Sequence, residues 1–123
     1  MAGQHKTLLM VDDSPIIVAW LRQMLAELEG IGEVLEAGSY KEALPLLHSS
    51  HPDIVLLDIN LPEINGIELL RFIKRESPSV IVIMLTNQAD EFYRSRCKKL
   101  GADYFLDKSS EFEQVPALVA SLL

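Results

Sequence analysis

With a single cysteine, Cys97, the chain has no internal disulfide to hold it together, and this fits a reducing compartment. Cys97 itself reads as a buried or half-buried helix thiol. Positive charge is also scarce. Against 18 acidic residues stand 11 Lys and Arg, a formal charge of -7. That balance argues against direct nucleic-acid binding, whose affinity comes largely from neutralising phosphates. No apolar run approaches the ~18 residues of a membrane span, and residues 1–6 lack the charged and hydrophobic regions of a signal peptide. We therefore expect a cytoplasmic protein with no membrane partner. There is no Gly/Ser linker, low-complexity tract or internal repeat. His5, His48 and His51 lack metal-ligand spacing and read as surface residues. At 123 residues and 49% hydrophobic content, the chain can build one domain core and is too short for a second.

What the chain does have is apolar runs that each end at a polar residue. Asp12 and Asp13 follow Leu8 to Val11, and Asp58 follows Ile54 to Leu57. Thr86 follows Val80 to Leu85, and Lys108 follows Tyr104 to Leu106 after Asp107. Short continuous β-branched runs are the mark of strands buried on both faces of a parallel sheet. Including Glu33–Ala37, five such strands alternate with five helices. The first helix runs from about Pro15 to Glu29, with Ser14 as N-cap and Pro15 at the first position. The second spans about Tyr40 to His48 behind Ser39, with an awkward Pro45. A third ends near Arg75, after a turn at Asn65-Gly66 expected to need positive φ. The fourth covers about Asp90 to Leu100 and ends at a left-handed Gly101, and the last carries Val115, Leu118, Val119 and Leu122. Right-handed crossovers place helices on both faces. Of the few orders left we take 2-1-3-4-5, by analogy with flavodoxin-like doubly wound α/β sheets.

In such sheets ligands bind at the carboxyl ends of the strands, so the polar residues converge on one pocket. Two carboxylates ~4 Å apart repel by about 4 kcal/mol at an effective dielectric of ~20. Lys108 supplies one compensating charge. A small divalent cation such as Mg²⁺ suits the remainder, because it takes carboxylate, carbonyl and water oxygens and leaves positions for phosphate. A strand-end carboxylate can then attack phosphorus and keep the group as an acyl phosphate.

The segments Val11 to Pro15, Leu57 to Gly66, Leu85 to Asn87 and Gly101 to Lys108 together resemble the receiver domain of two-component response regulators, and the likeness covers residues 1–123. The resemblance implies that Asp58 accepts phosphate from a sensor histidine kinase or phosphotransfer protein. It implies that Asp13, Asp58 and the backbone carbonyl of Asn60 bind Mg²⁺, with Asp12 acting through a water. Thr86 would hydrogen-bond the phosphoryl group and Lys108 would pair with its oxygens. Phe105 matches the aromatic switch position, with a permanently buried core ring as the competing reading. Asn60, Asn87 and Gln88 would tune phosphoryl lifetime. At two positions the pattern differs: Ser109 stands where proline usually follows the lysine, and Asn87 where a small residue usually follows the threonine.

The resulting expectation is a stand-alone phosphorylatable receiver, monomeric or weakly dimeric. It would signal to a downstream protein through the surface of its fourth helix, fifth strand and fifth helix. Its chemistry would be limited to its own phosphorylation and dephosphorylation. The alternatives are a non-phosphorylated scaffold, a receiver excised from a larger regulator or hybrid kinase, and an aspartate-nucleophile phosphatase, the last disfavoured by the absence of a substrate-enclosing insertion. Arg94, Arg96, Lys98 and Lys99 make the fourth helix basic, either as a solvated face or as a docking patch for an acidic partner.

Overall fold

The apolar runs become five parallel strands, β1 (Lys6–Val11), β2 (Ile31–Ala37), β3 (Ile54–Leu57), β4 (Ile81–Thr86) and β5 (Tyr104–Asp107), hydrogen-bonded in the order β2-β1-β3-β4-β5. The computed structural model describes residues 5–123. The signal-peptide reading therefore lies mostly outside the described residues. Between the strands run α1 (Pro15–Leu25), α2 (Tyr40–Ser50), α3 (Gly66–Glu76) and α4 (Glu91–Lys99), and a 3-10 turn (Phe112–Gln114) leads into α5 (Val115–Leu122). Among the described residues no helix is long and apolar enough to cross a membrane.

Alternation along the strands divides the core into two layers. Leu9, Val11, Val55, Leu57, Val82 and Met84 face α2, α3 and α4, while Leu8, Met10, Ile54, Leu56, Ile83 and Leu85 face α1 and α5. Full burial of each such side chain stabilises by about 1.5–3 kcal/mol, so β1, β3 and β4 form a rigid centre. Registers Val11↔Leu57 and Leu57↔Met84 bring the ends of β1 and β3 level, and β4 runs two residues further, to Thr86. This alignment fixes where the residues just beyond them lie.

Several boundaries differ from expectation. α1 ends at Leu25, short of Glu29, because the chain tightens into an i→i+3 turn in which Leu28 N donates to Leu25 O at 3.1 Å. Leu28 still packs against the core from that turn. β2 begins at Ile31, ahead of Glu33, drawn in by pairing with Lys6. α2 continues to Ser50 with Pro45 inside it. Pro45 is exposed, so water can solvate the carbonyl that lost its donor. At Asn65-Gly66 no positive φ occurs. Asn65 has φ -72° and caps α3, its Oδ1 accepting from Ile67 N at 2.9 Å and Glu68 N at 3.3 Å, whereas the left-handed residue is Glu63 at φ 67°. Gly101, at φ 101°, ends α4 as expected.

Candidate functional site

Asp12 and Asp13 directly follow β1, Asp58 directly follows β3, Thr86 closes β4 and Lys108 directly follows β5. Four loops thus deliver the site, and the neighbouring backbone sets each side chain. Asp12 is buried, and its Oδ1 accepts from Ser14 N at 2.9 Å, which ties its orientation to the start of α1. Asp58 is buried too, with Oδ1 accepting from Asn60 N at 3.2 Å. Thr86 is fully buried, and its Oγ1 accepts from Gln88 N at 3.1 Å. Asp13 is exposed.

Lys108 lies between two acids, its Nζ 2.7 Å from Asp12 Oδ2 and 2.8 Å from Asp58 Oδ2. Burial works to lower the Lys108 pKa, but hydrogen bonds and charge from Asp12 and Asp58 outweigh it and hold the ammonium above its usual 10.5. For Asp12 burial wins: its carboxyl is raised above its usual value despite the bond from Lys108. Asp12, Asp13 and Asp58 thus set three carboxylates against one lysine, which bonds two of them.

Asp12, Asp13 and Asp58 each offer a carboxylate oxygen, and these atoms lie within 4.8 Å of one another. Three hard oxygen donors converging on one point suit a small divalent cation, and cation binding would also relieve their repulsion. The donor chemistry therefore fits Mg²⁺.

Of the three residues expected to tune phosphoryl lifetime, two meet across the loops, Gln88 Nε2 lying 3.5 Å from Asn60 Oδ1. Asn87 is exposed. Phe105 is half-buried against the α2–α4 core layer. Among the described residues every peptide bond is trans, Lys108-Ser109 included, and Asp107 Oδ1 accepts from both Ser109 N at 2.9 Å and Ser109 Oγ at 2.7 Å.

Two contributors escaped sequence reading. A Cβ at Gly66 would stand 1.9 Å from the backbone O of Asp58, so only glycine lets α3 begin against the backbone of that aspartate. The Asn65-Gly66 pair signalled a special backbone position but suggested the wrong reason. Glu111 is the other: its Oε1 accepts from Asp107 N at 2.8 Å and from Arg94 Nη2 at 3.2 Å. No local motif marks it. Arg94 accordingly is held within the structure, while Arg96, Lys98 and Lys99 are exposed. A cavity of about 310 Å³ at the opposite end of the sheet, beside His51, Asp53 and Phe72, holds none of these groups.

Comparison with known proteins agrees with this geometry. The response regulator receiver domain family matches residues 8–120. The chain is 30% identical over 113 residues to the DNA-binding transcriptional activator EvgA of Escherichia coli, covering 90% of this chain and 54% of that protein. It thus spans about half the length of the curated relatives it matches. A CheY-like receiver domain protein from Methanospirillum hungatei superposes with TM-score 0.87 at 28% identity, over 97% of this chain and 94% of that one. The Mn(2+)-bound form of response regulator Rcp1 superposes with TM-score 0.82 at 25% identity, over 95% and 91%.

Proposed function

Because the chain belongs to the response regulator receiver family, we propose that it is a phosphorylatable receiver whose acceptor is Asp58. The observation that carries this reading is the joint placement of Asp12, Asp13 and Asp58 within 4.8 Å, with Lys108 bonded to two of them. An Asp58 carboxylate oxygen attacks the phosphorus of a phosphohistidine on a sensor kinase or phosphotransfer protein. The P–O bond forms as the P–N bond breaks, and the P–N electron pair leaves on the imidazole, already protonated at its other ring nitrogen, which departs as neutral histidine. Asp13, Asp58 and the backbone carbonyl of Asn60 would hold Mg²⁺, with Asp12 acting through a water. The cation would supply charge neutralisation for the transferring group. That response regulator Rcp1 has a Mn(2+)-bound form supports divalent-ion binding in this reading.

Lys108, bonded to Asp12 and Asp58 in the resting site, would turn its ammonium to the phosphoryl oxygens, and the Thr86 hydroxyl would donate to the same group. Movement of Thr86 gives Phe105 room to turn inward, altering the α4–β5–α5 surface offered to a downstream protein. The protein turns over no external substrate in this reading and works in the cytoplasm. Its share of EvgA favours a second reading, in which the same switch governs an output region in a longer regulator.

Intact-mass measurement after incubation with Mg²⁺ and a small acyl phosphate tests the assignment. Wild type should gain one phosphoryl group, and Asp58→Asn or chelation of Mg²⁺ should abolish the gain, since an amide oxygen is too weak a nucleophile. An unlabelled wild type would favour the scaffold reading, and label persisting in Asp58→Asn would move the acceptor elsewhere.

A further inference from the structure

Arg94, near the start of α4, makes three contacts with one guanidinium. Its Nε donates to Ala89 O at 3.1 Å, in the loop that follows Thr86. Its Nη2 meets Glu111 Oε1 at 3.2 Å. Its Cζ lies over the Phe105 ring, 4.9 Å from the centroid. A planar guanidinium can stack on a ring and donate in its own plane at once, and a lysine ammonium cannot.

The far side of the link leads back to the site. Glu111 Oε1 also accepts from Asp107 N, Glu111 N donates to Asp107 O at 2.8 Å, and Lys108 N donates to Thr86 O at 2.9 Å. The bond from Asp107 N, then that from Arg94, hold the Glu111 carboxyl below its usual value, so it stays ionised. One side chain therefore joins the loop carrying Asn87 and Gln88, the ring at the switch position, and the turn around Lys108. Surface ion pairs are normally weak, but here the side chains of Arg94 and Glu111 are only 36% and 30% exposed and share a network with backbone donors.

We propose that Arg94 is a positioning residue that latches the resting arrangement, holding Phe105 beneath its guanidinium and tying the Thr86 loop to the Lys108 turn through Glu111. This rests on the reading of Asp58 as acceptor and Phe105 as switch. An inward turn of the ring gives up the cation–π contact, so the latch favours the unphosphorylated form. Severing it raises the population of the switched form and with it the rate of acceptor chemistry.

The test compares wild type, Arg94→Gln, Glu111→Gln, the double variant and Arg94→Lys. At saturating Mg²⁺ and a fixed, subsaturating small acyl phosphate, each single change should speed labelling of Asp58 by roughly three- to tenfold. The double variant should be no faster than the faster single one, because both cut one link. Arg94→Lys should fall between wild type and Arg94→Gln. A purely structural arginine would give lower melting temperature with unchanged or slower labelling, and that result overturns the latch, as does full additivity. A second readout needs no phosphate: amide exchange at Asp107 and Lys108 in resting Arg94→Gln should quicken while Leu9 and Val55 stay protected. Unchanged exchange there also overturns the latch. Should wild type take no phosphate on Asp58, the acceptor reading fails, and the exchange measurement still decides the latch.

Discussion

Two lysine ammoniums, one at each end of the sheet, are held in different ways. Lys108, its side chain 8% exposed, bonds two carboxylates that are themselves 5% and 6% exposed. Lys74, 15% exposed, reaches one carboxylate, Asp103 at 2.8 Å, and two carbonyls, Val80 O at 2.6 Å and Pro78 O at 3.4 Å. Asp103 in turn accepts from Val82 N at 2.9 Å. Backbone carbonyls belong to the fold, so the Lys74 cluster acts as a fixed staple between α3, β4 and β5. Carboxylates can be claimed by a cation, so the partners of Lys108 are exchangeable. The same residue types give a joint at one end and, in the proposed function, a switch at the other, and the acceptors make the difference.

The sharpest way to break this comparison is through the glycines beside the two clusters. In Gly66→Ala the new Cβ would overlap Asp58 O, so α3 and the acceptor must move apart. A misplacement of ~1 Å costs on the order of a hundredfold in rate, and the overpacking costs about 1–3 kcal/mol. Labelling kinetics and chemical denaturation should record both. In Gly101→Ala the Cβ would meet the Lys74 stem at 3.2 Å with φ at 101°. It should lose about 1–2 kcal/mol with labelling unchanged.

Replacing each lysine by methionine sharpens the contrast. Lys108→Met leaves two buried acids without their cation and should destabilise by about 3 kcal/mol. Millimolar Mg²⁺ should restore much of that, since a native-state ligand at ~100 times its dissociation constant adds about 2.7 kcal/mol. Lys74→Met should lose about 1–3 kcal/mol, and Mg²⁺ should restore none of the difference from wild type. Equal recovery in both variants would mean that the cation does not act at the Asp12, Asp13 and Asp58 cluster.

Alkaline titration gives a smaller effect of defined sign. The folded-state pKa of Lys108 lies above the unfolded 10.5. The ion-pair stabilisation is therefore complete below pH 10.5 and is lost as pH rises through the folded value. Without Mg²⁺, the gap in unfolding free energy between wild type and Lys108→Met should hold steady from neutral pH up to pH 10.5 and narrow above it.

The smallest effect is expected at Asn87, exposed beside Thr86. If its side chain obstructs both donor and attacking water, Asn87→Ala should speed labelling and hydrolysis alike by a few-fold. Slower hydrolysis at saturating Mg²⁺ would instead assign the amide a role in orienting water.

The sequence by itself determined the five strands, their alternation with helices and the polar residues at their ends. Those follow from burial on both faces of a parallel sheet, which writes continuous apolar runs into the chain. Asp12, Asp13, Asp58, Thr86 and Lys108 were legible for that reason, and the capping of α1 by Ser14 was legible because a cap is a contact three residues long. Helix ends were less legible. Whether α1 stops at Leu25 or Glu29 depends on how the following turn meets the sheet. Only the tertiary structure decided that Gly66 is needed for a close approach to Asp58 rather than for a positive φ, that Lys108 rests on both Asp12 and Asp58, and that Arg94 is tied to Phe105 and Glu111. These contacts join residues 8 to 96 positions apart, and their geometry comes from strand register and helix packing, which no local pattern encodes.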